Sequence, residues 1–344
     1  MLIVDDSALL RRQYAEWLGQ EPDITVVGTA ADPYLARDQI VTLKPDVMTL
    51  DIEMPRMDGL TFLGKLMHYY PMPVVIVSSL SSEGSLTVIK AMELGAVDAV
   101  CKPPSVEQVP AMIRSLADKI RIAAQAKVRL RNQPAPVAPA AAPVSLTGSE
   151  SKILAIGAST GGTEAIAQVM KQLPENTPPT LIVQHMPEYF TQAFAARLNS
   201  LSPMEVREAK DGDVLKPGLA LVAPGNYHLL LARNGSRYAA LVREGPRVHH
   251  QRPSVEVLFN SVAKTAGPNA VGVILTGMGA DGAGGLLAMR EAGAHTVAQD
   301  EATSVVYGMP KAAADLGAAA AIKPLEQMPD EILRAFRQMK AVSR

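Results

Sequence analysis

One turn of the chain, AIGASTGG at residues 155–162, places a serine between glycines. It continues the apolar run ILAI and precedes EAIAQVMKQL, whose apolar residues have helical spacing, so it joins a strand to a helix. Gly157, Ser159 and Gly161 fill the pattern G-x-S-x-G, in which a sharp turn exposes the serine hydroxyl. A dinucleotide fingerprint needs glycine where Ser159 stands, and a P-loop needs lysine where Thr163 stands. Ser159 is therefore a candidate nucleophile, with capping of the next helix as the alternative.

A serine nucleophile needs a base, and the base needs an acid that orients it. His185 follows an apolar run in LIVQHMP, on a strand that we expect to neighbour the strand carrying Ser159. Asp281 follows another apolar run, in the glycine-rich turn LTGMGADGAGG, whose backbone N–H groups could also bind an oxyanion. The alternative for Asp281 is an ordinary Asp-Gly turn or a helix cap. The other histidines of this half are His228, His249, His250 and His295. Each of these is by itself more often structural or exposed than catalytic.

The order of these candidates along the chain is serine, histidine, aspartate. The α/β-hydrolases, the chymotrypsin-like enzymes and the subtilisin-like enzymes each have a different order. The G-x-S-x-G pattern therefore does not indicate an α/β-hydrolase here.

Polar side chains also follow four apolar runs in the N-terminal part of the chain. Asp5 and Asp6 follow the first run, Asp51 the third, Ser78 the fourth and Lys102 the fifth. Sites in open parallel sheets form beyond the carboxyl ends of strands. Clustered carboxylates need a cation, and a set of oxygen ligands alone favours Mg²⁺. A carboxylate beside Mg²⁺ and a lysine can attack a phosphoryl group, whereas the alternative is that each aspartate only starts a turn or caps a helix.

The elements that must position these residues follow one rhythm. Residues 1–131 alternate five apolar runs with helical patterns, which predicts a parallel sheet covered by helices on both faces. The runs are Leu2–Val4, Ile24–Val27, Val47–Leu50, Val74–Val77 and Ala99–Val100. Residues 132–149, NQPAPVAPAAAPVSLTGS, have no periodic apolar face and indicate an extended linker. Residues 150–344 return to an α/β pattern, interrupted where Asn234-Gly235 between two apolar runs predicts an antiparallel hairpin.

Composition narrows the class of protein. A chain of 344 residues with 48% hydrophobic and 19% charged residues suits two or three globular domains. Its net charge of −1 gives no general attraction to nucleic acid or to anionic membranes. No apolar run approaches the roughly 20 residues of a membrane span, and Asp5 and Asp6 interrupt the N-terminus before a signal peptide could form. The single cysteine, Cys101, excludes an internal disulfide and suits a cytoplasmic protein.

The segments VDDSALLRR and LDIEMPRMDGL resemble the response-regulator receiver domain, and the resemblance covers nearly all of residues 1–125. It implies a flavodoxin-like fold in which a phosphorylated aspartate lies beside Mg²⁺, a hydroxyl that turns towards the phosphate, and a lysine counter-charge. The implied residues are Asp51 as phosphoacceptor, Asp5, Asp6, Asp51 and the Glu53 carbonyl as Mg²⁺ ligands, Ser78 as the hydroxyl and Lys102 as the counter-charge. Only Met1–Val4 precede the acid pair, so we expect either a start further upstream or a weakened first strand.

With GASTGGTEAI, QHMP, RPSVEVLF and AVGVILTGMGADG, these segments are similar to the CheB family of chemotaxis response-regulator protein-glutamate methylesterases over essentially the full length. The resemblance implies a Rossmann-like, mostly parallel catalytic domain at residues 150–344. It implies Ser159 as nucleophile, His185 as base, Asp281 as orienting acid and the Met278 N–H as oxyanion donor, with no cofactor for the esterase. The Arg252–Ser254 segment lies in a shared motif without an assigned role.

The resemblance also implies the partners. The substrate would be a glutamate γ-methyl ester on a chemoreceptor, with deamidation of receptor glutamine as a second reaction and a chemotaxis histidine kinase as phosphodonor. We expect the unphosphorylated receiver to inhibit the esterase, a cytoplasmic location, and neither nucleic-acid binding nor membrane insertion. Two alternatives are a receiver joined to a non-enzymatic phosphate- or nucleotide-binding module and a receiver-driven transcription factor. The second half lacks a basic recognition helix, which argues against the transcription factor.

Overall fold

In a computed structural model of the chain, residues 1–54, 57–79, 82–102, 106–128, 149–235 and 237–339 are described. The chain divides into two compact units, Met1–Ala135 and Pro136–Arg344. The predicted linker, residues 132–149, lies outside the described residues except for Ser149, so its boundaries stay a prediction.

The described residues of the first unit form one sheet of five parallel strands, as the sequence predicts. Its strands are β1 (Leu2–Val4), β2 (Gly28–Ala30), β3 (Met48–Asp51), β4 (Val74–Ser78) and β5 (Asp98–Cys101). Its helices are α1 (Ala8–Leu18), α2 (Pro33–Leu43), α3 (Gly59–Tyr69), α4 (Ser82–Leu94) and α5 (Val109–Ala124). The strand order is β2-β1-β3-β4-β5, the flavodoxin-like arrangement. β3 and β4 are buried throughout, which explains their continuous apolar runs.

The second strand lies later in the chain than the sequence predicts. The apolar run Ile24–Val27 precedes it, and β2 is Gly28–Ala30. The reason is the register of the ladder, in which Leu2 pairs with Gly28, while the Val27 N–H reaches the Met1 carbonyl at 3.0 Å. The run Ile24–Val27 therefore lies before the paired segment, and Ile24 packs into the core instead.

The described residues of the second unit form a seven-stranded parallel sheet and a separate antiparallel pair. The strands are β6 (Ile153–Ala158), β7 (Thr180–Gln184), β8 (Glu205–Glu208), β9 (Leu219–Val222), β10 (His228–Asn234), β11 (Arg237–Arg243), β12 (Ala270–Ile274), β13 (His295–Gln299) and β14 (Ala321–Lys323). The helices are α6 (Gly162–Met170), α7 (Glu188–Leu201), α8 (Val255–Ala266), α9 (Ala283–Glu291), α10 (Met309–Asp315) and α11 (Met328–Gln338). The antiparallel pair, β10 and β11, is the hairpin predicted at Asn234-Gly235.

The sheet order β14-β13-β12-β6-β7-β9-β8 identifies where a site should form. The chain enters at β6, builds the sheet on one side through β7, and then returns to build the other side from β12. The strand order thus reverses between β6 and β12, and open α/β sheets bind ligands beyond the carboxyl ends of strands at such a switch point. No helix in the described part of the chain has the length and apolar character needed to cross a membrane.

Candidate active site

The serine turn lies directly at the switch point, because Ser159 follows the last residue of β6. The Ser159 N–H donates to the Thr276 carbonyl at 3.0 Å, and the Gly162 N–H donates to the Ser159 carbonyl at 2.7 Å. Gly161 occupies the N-cap of α6 with φ 77°, a conformation that favours glycine, and no side chain caps the helix. The alternative that Ser159 caps this helix is therefore wrong. A Cβ added at Gly277 would come within 2.6 Å of Ser159 Cβ, so glycine is required on the facing turn as well.

His185 and Asp281 form a buried pair beside this turn. His185 Nε2 lies 2.7 Å from Asp281 Oδ2, and the two side chains are 6% and 3% exposed. The His185 N–H donates to the Ala158 carbonyl at 3.1 Å, which brings the histidine backbone next to the residue that precedes Ser159. The fold thus brings together the strand ends that carry all three predicted residues.

The two ring nitrogens of His185 have different partners. With Nε2 donating to the carboxylate, the neutral ring carries its lone pair on Nδ1. Nδ1 is buried and has no hydrogen-bond partner among the described residues, Ser159 included. Nδ1 is therefore the nitrogen that can accept a proton, whereas in chymotrypsin-like triads Nδ1 faces the acid and Nε2 the serine.

The Asp281 carboxylate accepts four hydrogen bonds. Ser254 Oγ and the Glu256 N–H donate to Oδ1 at 2.7 and 3.0 Å, and the Val255 N–H donates to Oδ2 at 2.7 Å, beside His185. Val255 and Glu256 begin α8, so the aspartate receives the free N–H groups at a helix N-terminus. Burial by itself raises the pKa of Asp281, but the hydrogen bonds from His185 and Ser254 outweigh it and hold the pKa below its ordinary value. The pair is therefore an anionic carboxylate orienting a histidine.

Ser254 is the residue of this site that sequence reasoning left without a role. It stands at the N-cap of α8, yet its hydroxyl donates across to Asp281 and not to its own helix. Its N–H donates to His228 Nδ1 at 3.3 Å, and His228 Nε2 donates to the Pro246 carbonyl at 2.9 Å. His228 is accordingly buried and structural, as expected for a lone histidine. The signal was a serine before an apolar helical run, which predicts a local cap and says nothing of a contact 27 residues away.

A second histidine comes close to the acid without forming a metal site. Ligand atoms of His249, Glu256 and Asp281 lie within 4.8 Å of one another. Both oxygens of Asp281 already accept two hydrogen bonds each, which uses the lone pairs that a metal would need. This set of residues therefore does not fit a resident metal ion.

The turn that contains Met278 is held in place by the hydrogen bonds of the preceding residue, Gly277. The Gly277 carbonyl accepts hydrogen bonds from Gly308 and Met309 at 3.1 and 2.7 Å, and the Gly277 N–H donates to Val306 at 3.0 Å. Within the described residues, the Met278 N–H donates to no backbone carbonyl outside regular elements. Met278 lies one residue beyond Gly277, on the turn that faces Ser159, and its N–H as an oxyanion donor stays a prediction.

The acidic residues of the first unit also meet at one edge of their sheet. Carboxylate oxygens of Asp5, Asp6 and Asp51 lie within 4.8 Å of one another. Lys102 Nζ lies 2.7 Å from Asp51 Oδ2 and 3.4 Å from Asp5 Oδ2. Burial raises the pKa of Asp51, the nearby charge of Asp5 adds to the increase, and the Lys102 ammonium only partly opposes it. The pocket therefore concentrates negative charge that its one lysine does not fully offset.

Two buried oxygens in this pocket show whether its residues suit a cation and a phosphoryl group. Asp5 Oδ2 and Ser78 Oγ are buried and have no hydrogen-bond partner in the described part of the chain. A pocket of about 520 Å³ lies beside them, lined by residues that include Asp6, Glu53 and Ser78. An oxygen-rich set with unfilled acceptors suits Mg²⁺, and a free hydroxyl suits a phosphate, so the residues present fit both groups.

Glu53 links this pocket to the end of β4. Its N–H donates to Asp51 Oδ1 at 3.2 Å, which turns the peptide after Asp51 towards the acidic cluster. Its side chain accepts a 2.6 Å hydrogen bond from Ser79 Oγ. Ser79 is therefore occupied, while the adjacent Ser78 hydroxyl stays free of a partner in the described residues.

Comparison with known proteins agrees with this geometry. Residues 154–332 match the CheB methylesterase family model, and residues 1–114 match the response regulator receiver domain. A protein from Syntrophus aciditrophicus called protein-glutamate methylesterase/protein-glutamine glutaminase 2 is 55% identical, covering 97% of this chain and 98% of that protein. A Salmonella typhi protein called protein-glutamate methylesterase/protein-glutamine glutaminase is 50% identical, covering 99% and 98%.

A solved structure resembles the second unit. The catalytic domain of Thermotoga maritima CheB methylesterase is 36% identical, with a TM-score of 0.52, and the match covers 53% of this chain and 97% of that one. With two family models matched in tandem and relatives similar over nearly the whole length, the chain belongs to the CheB methylesterase family and carries an N-terminal response regulator receiver domain.

Proposed function

We propose that this chain hydrolyses glutamate γ-methyl esters on chemoreceptors and that Ser159, His185 and Asp281 are its catalytic residues. The observation that carries the proposal is the meeting of the Ser159 turn with the buried His185–Asp281 pair at the switch point of the sheet. The family match and the names of the relatives support the substrate class. They give no support to the alternative of a non-enzymatic phosphate- or nucleotide-binding module.

Acylation follows from the positions of these groups. Ser159 Oγ attacks the ester carbonyl carbon while His185 Nδ1 takes the hydroxyl proton, and Asp281 stabilises the resulting imidazolium. The carbonyl oxygen becomes an oxyanion, which the Met278 N–H stabilises by a hydrogen bond. The intermediate collapses, the C–O bond to the methoxy group breaks, and the proton on His185 passes to the leaving oxygen. Methanol departs and a glutamyl ester of Ser159 remains.

Deacylation repeats these steps with water as the nucleophile. His185 takes a proton from water, the hydroxide attacks the acyl carbon, and the proton returns to Ser159 Oγ as glutamate leaves. A receptor glutamine would form the same acyl-enzyme with ammonia as the leaving group. One site therefore accounts for both esterase and glutaminase activity.

The test of this function is methanol release from methylated chemoreceptor membranes. Ser159→Ala should lower the rate by on the order of 10⁴-fold, as loss of a triad member commonly does, and leave phosphorylation of Asp51 intact. Ser200→Ala is a matched control, since it removes an exposed hydroxyl of α7 whose one hydrogen bond within the described residues is to the Arg197 carbonyl. Near-normal methanol release by Ser159→Ala would refute the assignment.

The first unit supplies the regulatory reaction in this proposal. An Asp51 oxygen attacks the phosphorus of a phosphohistidine on the chemotaxis kinase, the P–N bond breaks, and an aspartyl phosphate forms. Asp5, Asp6, Asp51 and the Glu53 carbonyl would hold Mg²⁺, which when bound offsets charge on the phosphoryl oxygens. Lys102 pairs with the phosphate, and the free Ser78 hydroxyl turns towards it.

Phosphorylation is proposed to relieve inhibition of the esterase by the unphosphorylated receiver. The added charge and acceptor oxygens draw in Ser78 and reshape the surface around β4 and α4. We also propose a cytoplasmic location, since the kinase and the phosphorylated form belong to that compartment. The single cysteine, Cys101, is compatible with it, because one thiol cannot form an internal disulfide.

A further inference from the structure

We propose that Gln184 is a positioning residue for the esterase reaction, whose side-chain amide fixes the backbone of Ser159 relative to that of His185. The proposal rests on the function proposed for those two residues. Gln184 is the last residue of β7 and is 4% exposed. Its place between the nucleophile turn and the base gives it direct access to both.

The contacts of the amide nitrogen carry the inference. Gln184 Nε2 donates to the Ser159 carbonyl at 2.8 Å and to the His185 carbonyl at 3.1 Å. Both hydrogens of the NH₂ group are thus used, one on the nucleophile residue and one on the base residue. Each hydrogen bond holds the backbone carbonyl of a residue with a reacting side chain. The amide therefore fixes the distance between the backbones of Ser159 and His185, from which the two side chains extend.

The amide oxygen shows what this arrangement costs. Gln184 Oε1 is buried and has no hydrogen-bond partner among the described residues. It lies against Gly162, where an added Cβ would overlap it, so the second glycine of the turn makes room for the amide. Methionine or leucine would fill the same space without an unpaired buried oxygen. Because glutamine leaves this oxygen buried without a hydrogen bond, we infer that its NH₂ group has a role that offsets the cost.

Loss of the amide should affect catalysis more than folding. The Ser159 carbonyl also accepts from the Gly162 N–H at 2.7 Å, and the His185 N–H remains bonded to the Ala158 carbonyl. The turn and the strand would therefore persist, while the two peptide groups lose the link that holds them in one geometry. Misplacement of reacting groups by about 1 Å costs roughly 10²-fold in rate.

The test is Gln184→Met in the full chain, which keeps the length of the side chain and removes both donors. With methylated receptor membranes, kcat should fall by roughly 10–100-fold while KM stays within about twofold. A fluorophosphonate probe reports on the same geometry without the natural substrate, because Ser159 Oγ displaces fluoride as His185 takes its proton. The rate of probe labelling should fall by the same factor as kcat.

Thr296→Val is the matched control. Thr296 is buried on β13, its hydroxyl donates to the Ala318 carbonyl at 2.7 Å and accepts from the Ala320 N–H at 3.0 Å, and neither group belongs to the site. It should lower the melting temperature without changing kcat. If Gln184→Met does not fold, Gln184→Asn keeps the amide but is one carbon shorter, which draws its donors back from the Ser159 and His185 carbonyls, and it should lower kcat in the same way.

The outcomes separate this proposal from the function beneath it. If wild type is labelled at Ser159 and the folded Gln184 variant is labelled more slowly, the proposal stands. If the variant has wild-type kcat and labelling rate and loses only thermal stability, as Thr296→Val does, Gln184 is merely structural and the proposal is overturned. If Ser159→Ala itself retains methanol release, the proposed function fails first and the positioning role with it.

Discussion

Two aspartates at the ends of parallel strands have opposite surroundings in this chain. Asp281 accepts four hydrogen bonds, two of them from the first turn of α8. Asp51 has Lys102 as its one ion-pair partner in the described residues; beside it lie Asp5 Oδ2, which the same lysine approaches to 3.4 Å without a hydrogen bond, and Ser78 Oγ, which has no hydrogen-bond partner there. The Asp281 carboxylate thus has a hydrogen bond for each of its lone pairs, whereas the Asp51 carboxylate accepts from Lys102 and the Glu53 N–H alone among the described residues.

The difference agrees with the roles proposed for the two aspartates. A catalytic acid must hold one geometry through each turnover, and fixed dipoles around a carboxylate do this without reorganisation. A switch must change state when a ligand arrives, so its polar groups gain partners only in the second state. The pKa directions agree with this division, since that of Asp281 is lowered and that of Asp51 is raised.

The largest expected effect separates the histidines of the catalytic unit. His185→Gln should cost about 10⁴-fold in methanol release, because the ring proposed to take the serine proton is lost. The double variant with Ser159→Ala should be little worse, since the pair acts as one unit. His250→Gln, on an exposed turn, is the control and should retain most of its turnover. A dead His250→Gln beside an active His185→Gln would reassign the base.

The next effect concerns the open pocket. Labelling of Asp51 by a small phosphodonor should require Mg²⁺, because the carboxylates of this pocket are proposed to hold the ion. Loss of a residue that only hydrogen-bonds to a metal ligand costs roughly 10–100-fold in metal affinity. Asp6→Ala removes a proposed direct ligand, so it should raise the Mg²⁺ concentration for half-maximal labelling by at least that factor. Asp38→Ala removes an exposed aspartate of α2 that pairs with Arg37, and it should have no effect. Equal labelling in excess chelator would contradict the receiver chemistry.

Much of this arrangement could be predicted from the sequence, because buried parallel strands have continuous apolar runs and their ends carry the chemistry. Ser159 and His185 directly follow such runs, and Asp281 lies in the glycine-rich turn after a third. The bounds of β2 could not be predicted, since Gly28–Ala30 has no apolar run and its position depends on the register with β1. Nor could the roles of Ser254 and Gln184, whose hydrogen bonds to Asp281 and Ser159 join residues 27 and 25 positions apart.

A smaller effect is expected from separating the two units. A fragment of residues 148–344 should hydrolyse receptor esters faster than the unphosphorylated full chain, by about tenfold if the receiver blocks the site about 90% of the time. It should also be indifferent to phosphodonor, which should stimulate the full chain. A fragment slower than the unphosphorylated chain, with full-length protein stimulated well above it, would show direct activation by the receiver and exclude simple inhibition.

The smallest expected effect is on the stability of each unit, and it tests the opposite pKa shifts of Asp51 and Asp281 directly. Asp51 has a folded-state pKa above its unfolded value, so its favourable contribution is present at low pH and is lost as pH rises from the unfolded towards the folded pKa. Removing the charge by Asp51→Asn should then stabilise the first unit at pH 7. A gain of about 1 kcal/mol corresponds to roughly 4 °C in melting temperature for a domain of this size. Trp17 in α1, the only tryptophan of the chain, reports unfolding of this unit by fluorescence.

Asp281 has the opposite sign, because its folded-state pKa lies below the unfolded value. Its contribution is present above the unfolded pKa and is lost as pH falls through the folded pKa. In Asp281→Asn an NH₂ group faces N–H and O–H donors that bond to a carboxylate in the wild type. The free energy of unfolding of the second unit should therefore fall by about 1–3 kcal/mol, and its melting temperature should fall with it. The difference at Asp51 should vanish once the pH is below the ordinary carboxyl range, whereas the difference at Asp281 should shrink only as the pH falls from there through its lowered folded pKa. If the two substitutions shift stability in the same direction at pH 7, the surroundings of Asp281 and Asp51 do not have opposite effects on their carboxylates, and the comparison fails.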